Sequence, residues 1–441
     1  MKIPQRPPTV NLGVFEGRAE DLVTALGRVD PLTDVYLSWE EMRWRRPPEG
    51  LTREQWWLVS AMRRRAGSRS LPLLQVDGSA FAYTLTDEAL RLIEKIRARA
   101  GGAIAMDEPV TNAATRNRYL VNSLIEESIT SSQLEGATTT ARVAKEMLRE
   151  GRRPRNRSEL MIWNNYQAME FVRGHRDDAI TPELVCELHR LVTAGTLDDP
   201  DAAGRPQGVE EERVVVATSD EVVVHEPPRA EELVDRLGDL CRFASGADDD
   251  VWVSPVVRAV FVHFMVGHDH YFADGNGRLA RALFYWVMLR EGLWLTEFVT
   301  ISTVIKGAPV KYAHAYLNSE YEGDATFFLL HHLRVIDRAF DQLESYLARK
   351  MAETREIREQ LWRRRDLNHR QIELLQRAAA DGATEFTVAS HRRSHRVSDM
   401  TARGDLESLE RRGFLRRTKR GRTFVWRASP GLADLLHPAG E

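Results

Sequence analysis

The segment at 270–281, His-Tyr-Phe-Ala-Asp-Gly-Asn-Gly-Arg-Leu-Ala-Arg, constrains this chain more than any other. It lies between two apolar runs with helical spacing, of which the first opens with Pro255 and the second ends at Gly292. Because proline suits the first turn of a helix and glycine follows the last, the sequence predicts a helix, a short loop and a second helix. The loop then carries the polar chemistry of the segment.

The start of the second helix has the features of a phosphate site. Gly275, Asn276 and Gly277 tolerate positive φ, so their N–H groups could converge on one anion. The positive end of the helix dipole also favours phosphate. Arg278 and Arg281 are spaced i, i+3 on one helix face and could bind neighbouring phosphates.

Two further side chains of the loop suggest the reaction at such a site. His270 has an ordinary pKa near neutrality, which suits a general base. A carboxylate at Asp274 would repel bare phosphate, so Mg²⁺ between them is the natural arrangement. A zinc cluster of His270 with His263, His268 and Asp269 is disfavoured, because neighbouring side chains in a loop seldom converge and no HExxH or CxxC pair is present.

The segment resembles the signature of the Fic family, H-x-F-x-D/E-G-N-G-R-x-x-R, at every fixed position. These positions are filled by His270, Phe272, Asp274, Gly275, Asn276, Gly277, Arg278 and Arg281. The resemblance implies a protein adenylyltransferase, which transfers AMP from ATP to a Ser, Thr or Tyr hydroxyl of a protein. Gly277 favours nucleotidyl transfer, since the kinase-like branch of the family has Lys there.

The resemblance also implies a role for each residue. His270 would take the hydroxyl proton, and Asp274 would hold Mg²⁺. Asn276 and the amides of Gly275 and Gly277 would bind the α-phosphate region. Arg278 would contact the β-phosphate and Arg281 the γ-phosphate, while Phe272 would anchor the loop in the core.

A second segment, Ser131-Ser-Gln-Leu-Glu-Gly, is similar to the inhibitory motif of the family, S/T-x-x-x-E-G/N. The resemblance implies that Glu135 pairs with Arg281 and occupies the γ-phosphate position. A carboxylate can replace a phosphate oxygen in such a pair. The alternative is an ordinary helix end at Gly136.

A third segment has two β-rich runs around a turn, in a stretch that is otherwise helical. The first run contains Val214, Val215 and Val216, and the second contains Val222 and Val223. By similarity to the family, this hairpin is the flap that pairs with an extended segment of the target protein. The alternative is a buried hairpin without a partner.

The fold class predicted for the whole chain is mainly α, with a Fic-type helical core, a small β-hairpin flap and a C-terminal winged helix domain. The predicted parts are an N-terminal helical extension at 1–105, the core with its inhibitory helix at 106–345, a helical linker at 346–368 and a winged helix-turn-helix at 369–430. A net charge of −3 argues against bulk polyanion binding, and two cysteines make no disulfide framework. With no apolar leader, and no apolar run near the roughly 18 residues of a membrane span, we expect a cytoplasmic protein.

The C-terminal part resembles a winged helix-turn-helix and is basic. Between Phe386 and Arg427 it has twelve Lys or Arg and four Asp or Glu, a net charge of +8 before histidine. Such a surface suits a nucleic-acid backbone. The predicted DNA contacts are Arg392, Arg393, Arg396, Arg403, Arg420 and Arg422. Contact with a protein is the alternative, since winged helices also mediate protein contacts.

Several functions remain open from the sequence alone. The same site could remove AMP from a modified protein, with Glu135 orienting a water, or could use UTP, GTP or a CDP-alcohol. A regulator is another class, in which the core senses nucleotide and the winged helix binds DNA. The resemblance also implies a homodimer, with the chain itself among the possible targets.

Overall fold

The computed structural model describes residues 3–9, 12–15, 19–30, 35–102, 113–217, 221–246, 252–380, 384–420, 423–430, 432 and 435. It is mainly helical, as predicted. The chain divides into two compact units, residues 1–343 and residues 344–441. The four-part division predicted from the sequence is finer than this, and its boundaries stay predictions.

Helices outnumber strands in the described part of residues 1–246. In chain order the elements are α1 (Ala19–Arg28), α2 (Trp39–Met42), α3 (Arg53–Gly67), β1 (Arg69–Leu74), β2 (Ala80–Tyr83), α4 (Asp87–Ala100), α5 (Ala113–Leu134), α6 (Ala141–Glu150), α7 (Arg157–Gly174), α8 (Pro182–Thr193), β3 (Val216–Ala217), β4 (Val223–His225) and α9 (Leu233–Ser245). The strands form the antiparallel pairs β1–β2 and β3–β4.

The remaining elements extend from residue 255 to residue 428. They are α10 (Pro255–Asp269), α11 (Asn276–Arg290), α12 (Ile301–Lys306), α13 (Pro309–Glu322), α14 (Thr326–Arg363), α15 (His369–Ala380), α16 (Val388–His395), α17 (Asp399–Arg411), β5 (Leu415–Arg420) and β6 (Thr423–Ala428). The strands β5 and β6 pair antiparallel in continuous register.

Helices α10 and α11 form the centre of the first unit. Their side chains are buried on almost every face, including the whole stretch from Arg278 to Leu289. A helix that is apolar around its circumference must be surrounded by protein. Pro255 begins α10, as the sequence predicts, and α11 ends at Arg290, just before Gly292. The loop at 270–275 therefore connects the two most buried helices.

The N-terminal segment contains a hairpin that the sequence analysis did not predict. Strands β1 and β2 are stabilised by pairing outside the hairpin, because the backbone of Ala82 bonds to Gly323 and Ala325 at 3.1 and 2.8 Å. On β2, Phe81 packs edge-on against Phe264 and His268 of α10, with ring centroids about 5 Å apart. This hairpin supports the end of α10 that leads into the loop.

The second unit has its own apolar core. The core is formed by Leu361, Leu367, Ile372, Leu374, Leu375, Ala378, Phe386, Leu406, Leu409, Phe414, Leu415, Trp426 and Leu432. Three helices, α15 to α17, precede the β5–β6 hairpin, and Phe386 adds a backbone pair to Trp426 at 2.8 Å in both directions. This element order agrees with the expected winged helix, and the assignment to that domain type stays a prediction.

Candidate active site

The loop between α10 and α11 is shaped by two residues in the left-handed region. His270 ends α10 with φ 49°, and Gly275 precedes α11 with φ 86°. Asn276 and Gly277 are the first residues of the helix, so the expected positive-φ turn does not extend to Asn276. A non-glycine residue in this region carries a conformational cost, which often accompanies a functional site. The left-handed conformation of His270 was not predicted from the sequence.

The Asn276 side chain forms hydrogen bonds with the backbone of the preceding loop. Its Nδ2 donates to the Phe272 carbonyl at 2.7 Å, and its Oδ1 accepts from the Phe272 N–H at 3.1 Å. Asn276 and Phe272 are both buried, so this pair fixes the loop from inside. The α-phosphate role predicted for Asn276 stays a prediction, and it would rest on backbone N–H groups rather than on this amide.

A histidine that the sequence analysis missed supports the loop from α8. His189 stacks on Phe272 with ring centroids 3.8 Å apart. Its Nδ1 accepts from the Gly204 N–H at 2.9 Å, so its Nε2 donates to the Asp274 carbonyl at 2.8 Å. Burial lowers the pKa of His189 to about 4, which keeps this tautomer neutral.

The candidate base, His270, has its two ring nitrogens in different surroundings. Nδ1 lies 3.3 Å from the Gly267 carbonyl, an acceptor, so it carries the proton. Nε2 is then the basic atom. Burial lowers the pKa of His270, with a smaller contribution in the opposite direction from the Gly267 contact. The imidazole is therefore neutral near pH 7 and able to accept a proton.

Arg278 is fully buried and only partly hydrogen-bonded. Its Nη1 donates to the Val192 carbonyl at 2.9 Å, and Nη2 lies 3.8 Å from Oδ2 of Asp274. Nε and Nη2 have no hydrogen-bond partner. A buried guanidinium with unused donors is costly unless an anion occupies the adjacent space.

Asp274 offers a carboxylate at the same end of α11. Its Oδ1 accepts from the Gly275 N–H at 2.6 Å, and its side chain is half exposed. Carboxylate oxygen is the ligand type that Mg²⁺ prefers, together with phosphate oxygen. The residue therefore fits the predicted metal role.

The guanidinium of Arg281 donates hydrogen bonds to residues at and just beyond the end of α5. Its Nε donates to Ser131 Oγ at 2.8 Å, and its Nη2 donates to the Ser131 carbonyl at 3.0 Å and to Glu135 Oε1 at 2.8 Å. Burial lowers the pKa of Arg281, but Glu135, Tyr312 and Glu127 together outweigh burial, so that this pKa is raised. The predicted contact between Glu135 and Arg281 is thus present in the structure.

Glu135 also lies against the start of α11. A Cβ built on Gly277 would be 2.1 Å from Glu135 Oε1, so that only glycine leaves room for this carboxylate. Glu135 adds a favourable electrostatic contribution to the protonated forms of both His270 and Arg278. The Glu135 carboxylate therefore lies near both the predicted base, His270, and the predicted phosphate ligand Arg278.

A second acid on α5, Glu127, was not predicted. It is buried, accepts from the Ser302 N–H at 3.2 Å and contacts the Ser302 hydroxyl. Burial raises its pKa. Glu127 joins α5 to α12 and so holds the helix that presents Glu135.

The β3–β4 hairpin is shorter than the sequence predicted. Val216 pairs with His225 and Ala217 with Val223, whereas Val214 and Val215 precede β3 and Val222 precedes β4. At Val214 the N–H donates to the Gln207 side chain at 3.3 Å instead of to a neighbouring strand. The tip at 218–220 lies outside the described residues. The expected role as a docking flap stays a prediction.

The base of this hairpin is attached to the loop through Arg213. Its Nη1 donates to the His270 carbonyl at 2.9 Å and its Nη2 to the Asp269 carbonyl at 2.5 Å, while Nε donates to the Pro228 carbonyl at 2.8 Å. No local pattern in the sequence signals this arrangement, because it joins positions 56 and 57 residues apart.

The arginines predicted to contact DNA are placed in the second unit. Arg392, Arg393, Arg396 and Arg403 are exposed, and Arg392 forms an ion pair of 3.0 Å with Asp399. Arg420 is the last residue of β5, and its side chain lies outside the described part of the chain, as does the whole of Arg422.

Comparisons with known proteins agree with this architecture. Residues 179–288 match the model of the Fic/DOC family. A protein adenylyltransferase Fic of Nematostella vectensis is 24% identical over 258 residues, which are 58% of this chain and 54% of that protein. A protein adenylyltransferase of Caenorhabditis elegans is 30% identical over 115 residues, 26% of this chain and 20% of that protein. The chain thus spans about half the length of the first relative and less of the second.

A solved structure supports the fold. The crystal structure of a Fic family protein from Desulfovibrio desulfuricans superposes with a TM-score of 0.52 at 20% identity, covering 81% of this chain and 98% of that one. Residues 179–288 thus form a Fic/DOC domain, and the chain as a whole has a mainly helical, Fic-type fold. Among its described helices, none is both long enough and apolar enough to cross a membrane.

Proposed function

We propose that this chain transfers AMP from ATP to a Ser, Thr or Tyr hydroxyl of a protein, itself included. The main support is the composition of one buried loop and helix start. A neutral His270, the unused donors of Arg278 and the carboxylate of Asp274 lie together with Arg281 within twelve residues. Adenylyltransferase is also the name of both relatives, from Nematostella and from Caenorhabditis.

The proposed reaction is a single displacement at phosphorus. His270 Nε2 takes the proton of the target hydroxyl, whose oxygen then bonds to the α-phosphorus of ATP. The bond from that phosphorus to the bridging oxygen breaks, and pyrophosphate leaves with the electron pair. Positioning and charge neutralisation contribute most in such reactions. Arg278 supplies a fixed positive charge, and Mg²⁺ held by Asp274 would neutralise further phosphate charge.

We further propose that the contact between Glu135 and Arg281 is an inhibited resting state. Glu135 uses the guanidinium donor that the γ-phosphate would need, at 2.8 Å. A phosphate must displace this carboxylate or bind elsewhere, and elsewhere means an unproductive position for the α-phosphorus. Removing the carboxylate leaves Arg281 bonded to Ser131 through Nε and Nη2 but frees one hydrogen of Nη2 for nucleotide.

The test uses ATP radiolabelled at the α-phosphate with Mg²⁺, and protein-bound label as the readout. We expect Glu135→Gly to raise self-labelling at least about tenfold and Glu135→Gly/His270→Ala to abolish it. Glu126→Ala is the control, because Glu126 is an acid of α5, the helix that precedes Glu135, and pairs with Lys145 instead. Labelling unchanged by Glu135→Gly would refute the inhibited state.

The absence of label in every variant, with ATP binding intact, would instead contradict AMP transfer. It would favour AMP removal, with Glu135 orienting a water, or another nucleotide donor. The same variants incubated with an AMP-modified protein would distinguish these two outcomes, since only AMP removal releases free AMP.

For the second unit we propose duplex DNA binding. Four of its arginines, Arg392, Arg393, Arg396 and Arg403, are exposed in a segment of net charge +8. Affinity should fall steeply with salt, and Arg393→Ala/Arg403→Ala should weaken binding and reduce the salt slope by about two. Arg412→Ala is the control, because Arg412 pairs with Asp366 at 3.1 Å. Binding that does not depend on salt would contradict the proposal.

A further inference from the structure

Three metal-ligating side chains from distant parts of the chain converge beside the loop. His225 comes from β4, His268 from α10 and Glu320 from α13. His225 Nδ1 lies 3.0 Å from Glu320 Oε1, and His268 Nδ1 lies 3.2 Å from the same oxygen. The three candidate ligand atoms lie within 4.8 Å of one another.

These separations suit a tetrahedral ion. Two ligand atoms at about 2.1 Å from a tetrahedral metal are about 3.4 Å apart, slightly more than the two separations from Glu320 Oε1. Two histidines and one glutamate are a known ligand set of zinc, with the fourth position left for water. Soft-to-borderline nitrogen ligands also separate this site from the all-oxygen surroundings that Mg²⁺ prefers at Asp274.

Neighbouring groups hold the two histidine rings of the cluster in place. His225 donates its other ring nitrogen, Nε2, to the His268 carbonyl at 2.6 Å, the outer-shell contact that orients metal-bound imidazoles. Phe81 and Phe264 pack against the His268 ring, with centroids 5.0 and 5.9 Å away. His268 Nε2 is buried without a hydrogen-bond partner, so the orientation of this ring depends on its Nδ1 side.

We propose that His225 Nδ1, His268 Nδ1 and Glu320 Oε1 bind one zinc ion. The ion would join β4 of the β3–β4 hairpin to the last turn of α10, where His268 lies two residues before His270. Bound there, the ion would hold the hairpin against the loop. Neither the Fic assignment nor the AMP-transfer proposal is needed for this inference.

A metal-free arrangement is the rival. Both ring nitrogens of His225 face oxygen acceptors, the His268 carbonyl and Glu320 Oε1, so without a metal this imidazole carries both protons and a positive charge. It would then form an ion pair with Glu320, and His268 would donate one hydrogen bond. The two arrangements differ in metal content, which is directly measurable.

The experiment measures zinc in the full-length chain by mass spectrometry, after treatment with chelator, incubation with Zn²⁺ and desalting. We expect about one zinc per chain in wild type, and intense visible absorption when Co²⁺ replaces it. His225→Ala and Glu320→Gln should each weaken zinc affinity at least about tenfold, measured against a competing chelator dye. Their circular dichroism spectra would show whether the fold is retained.

Two control variants locate the ion. His314→Ala removes another histidine from the helix that carries Glu320, and Asp274→Ala removes the proposed Mg²⁺ ligand. Both should retain about one zinc per chain. Wild type that carries no zinc after saturation, or His225→Ala that retains wild-type affinity, would overturn the proposal, and neither result would affect the AMP-transfer proposal.

Discussion

The loop at 270–275 and the β3–β4 hairpin are joined, yet they are built in opposite ways. The side chains of Phe272 in the loop and of Asn276 at the start of α11 are buried. The Asn276 amide forms two hydrogen bonds with the backbone of Phe272. The hairpin has two strands of two and three residues. Val215 and Val223 in this region are more than 40% exposed.

This difference suits two tasks. A group that must meet a phosphorus atom needs a fixed position, because a displacement of about 1 Å can cost about a hundredfold in rate. A surface that receives an extended peptide needs free strand edges and exposed side chains, and it can adjust to the partner. The buried loop is suited to the first task and the exposed hairpin to the second.

The largest expected effect tests the chemical task of the loop. In a Glu135→Gly background, His270→Ala should lower AMP transfer by about 10² to 10⁴-fold, because the general base is lost. ATP affinity should change little, as judged by calorimetry. His314→Ala is a matched control and should keep its activity. Equal losses in both variants would mean that the effect is structural.

The rigidity of the loop is tested next by Asn276→Ala. The substitution leaves the buried N–H and carbonyl of Phe272 without partners, and we expect the free energy of unfolding to fall by about 2 kcal/mol. Chemical denaturation measures this change. Asn318→Ala, on α13, should stay within about 0.5 kcal/mol of wild type. An unchanged free energy of unfolding in Asn276→Ala would show that the loop is not the rigid region.

Arg213→Ala tests the connection between the two regions. It removes charge-assisted bonds to the carbonyls of His270, Asp269 and Pro228. We expect the local stability of the hairpin to fall by about 2 kcal/mol. This loss corresponds to about thirtyfold faster backbone hydrogen exchange at 214–217 and 221–226. Arg205→Ala is the control, since Arg205 pairs with Glu211 at the surface. Unchanged exchange would mean that the hairpin is held elsewhere.

The smallest effect on stability is expected in the hairpin itself. Val215→Ser and Val223→Ser should each change the free energy of unfolding by less than about 0.5 kcal/mol, because both side chains are already exposed. Self-labelling in the Glu135→Gly background should nevertheless fall about two- to fivefold if the hairpin receives the substrate segment. A marked loss of stability would place these valines in a core rather than on a docking surface.

Local features of the sequence predicted the helices, whereas the contact between Glu135 and Arg281 was expected only from the resemblance of two motifs to those of the Fic family. Periodic apolar residues and the proline at 255 determine where α10 starts, because these signals act within one or two turns. The order of the C-terminal elements followed from similar local signals.

Features that depend on tertiary contacts and carry no family motif were not predicted from the sequence. The β1–β2 hairpin is stabilised by backbone pairing of Ala82 with residues about 240 positions later. For His189 a weak signal existed, a histidine among the buried Val185, Leu188 and Val192 on one helix face. Of the four residues considered for a metal cluster, only His268 lies in a group of potential ligands formed by the described residues, with His225 and Glu320, which are 43 and 52 positions away.

The space at Gly277 has an evolutionary consequence. Any side chain there would begin 2.1 Å from Glu135 Oε1 and would force the carboxylate away from its position beside Arg281. The proposed restraint can therefore be lost by mutation at either of two positions, 142 residues apart. Selection for a silent resting protein would act on the glycine as directly as on the glutamate, in addition to any demand that nucleotide binding makes on the same residue.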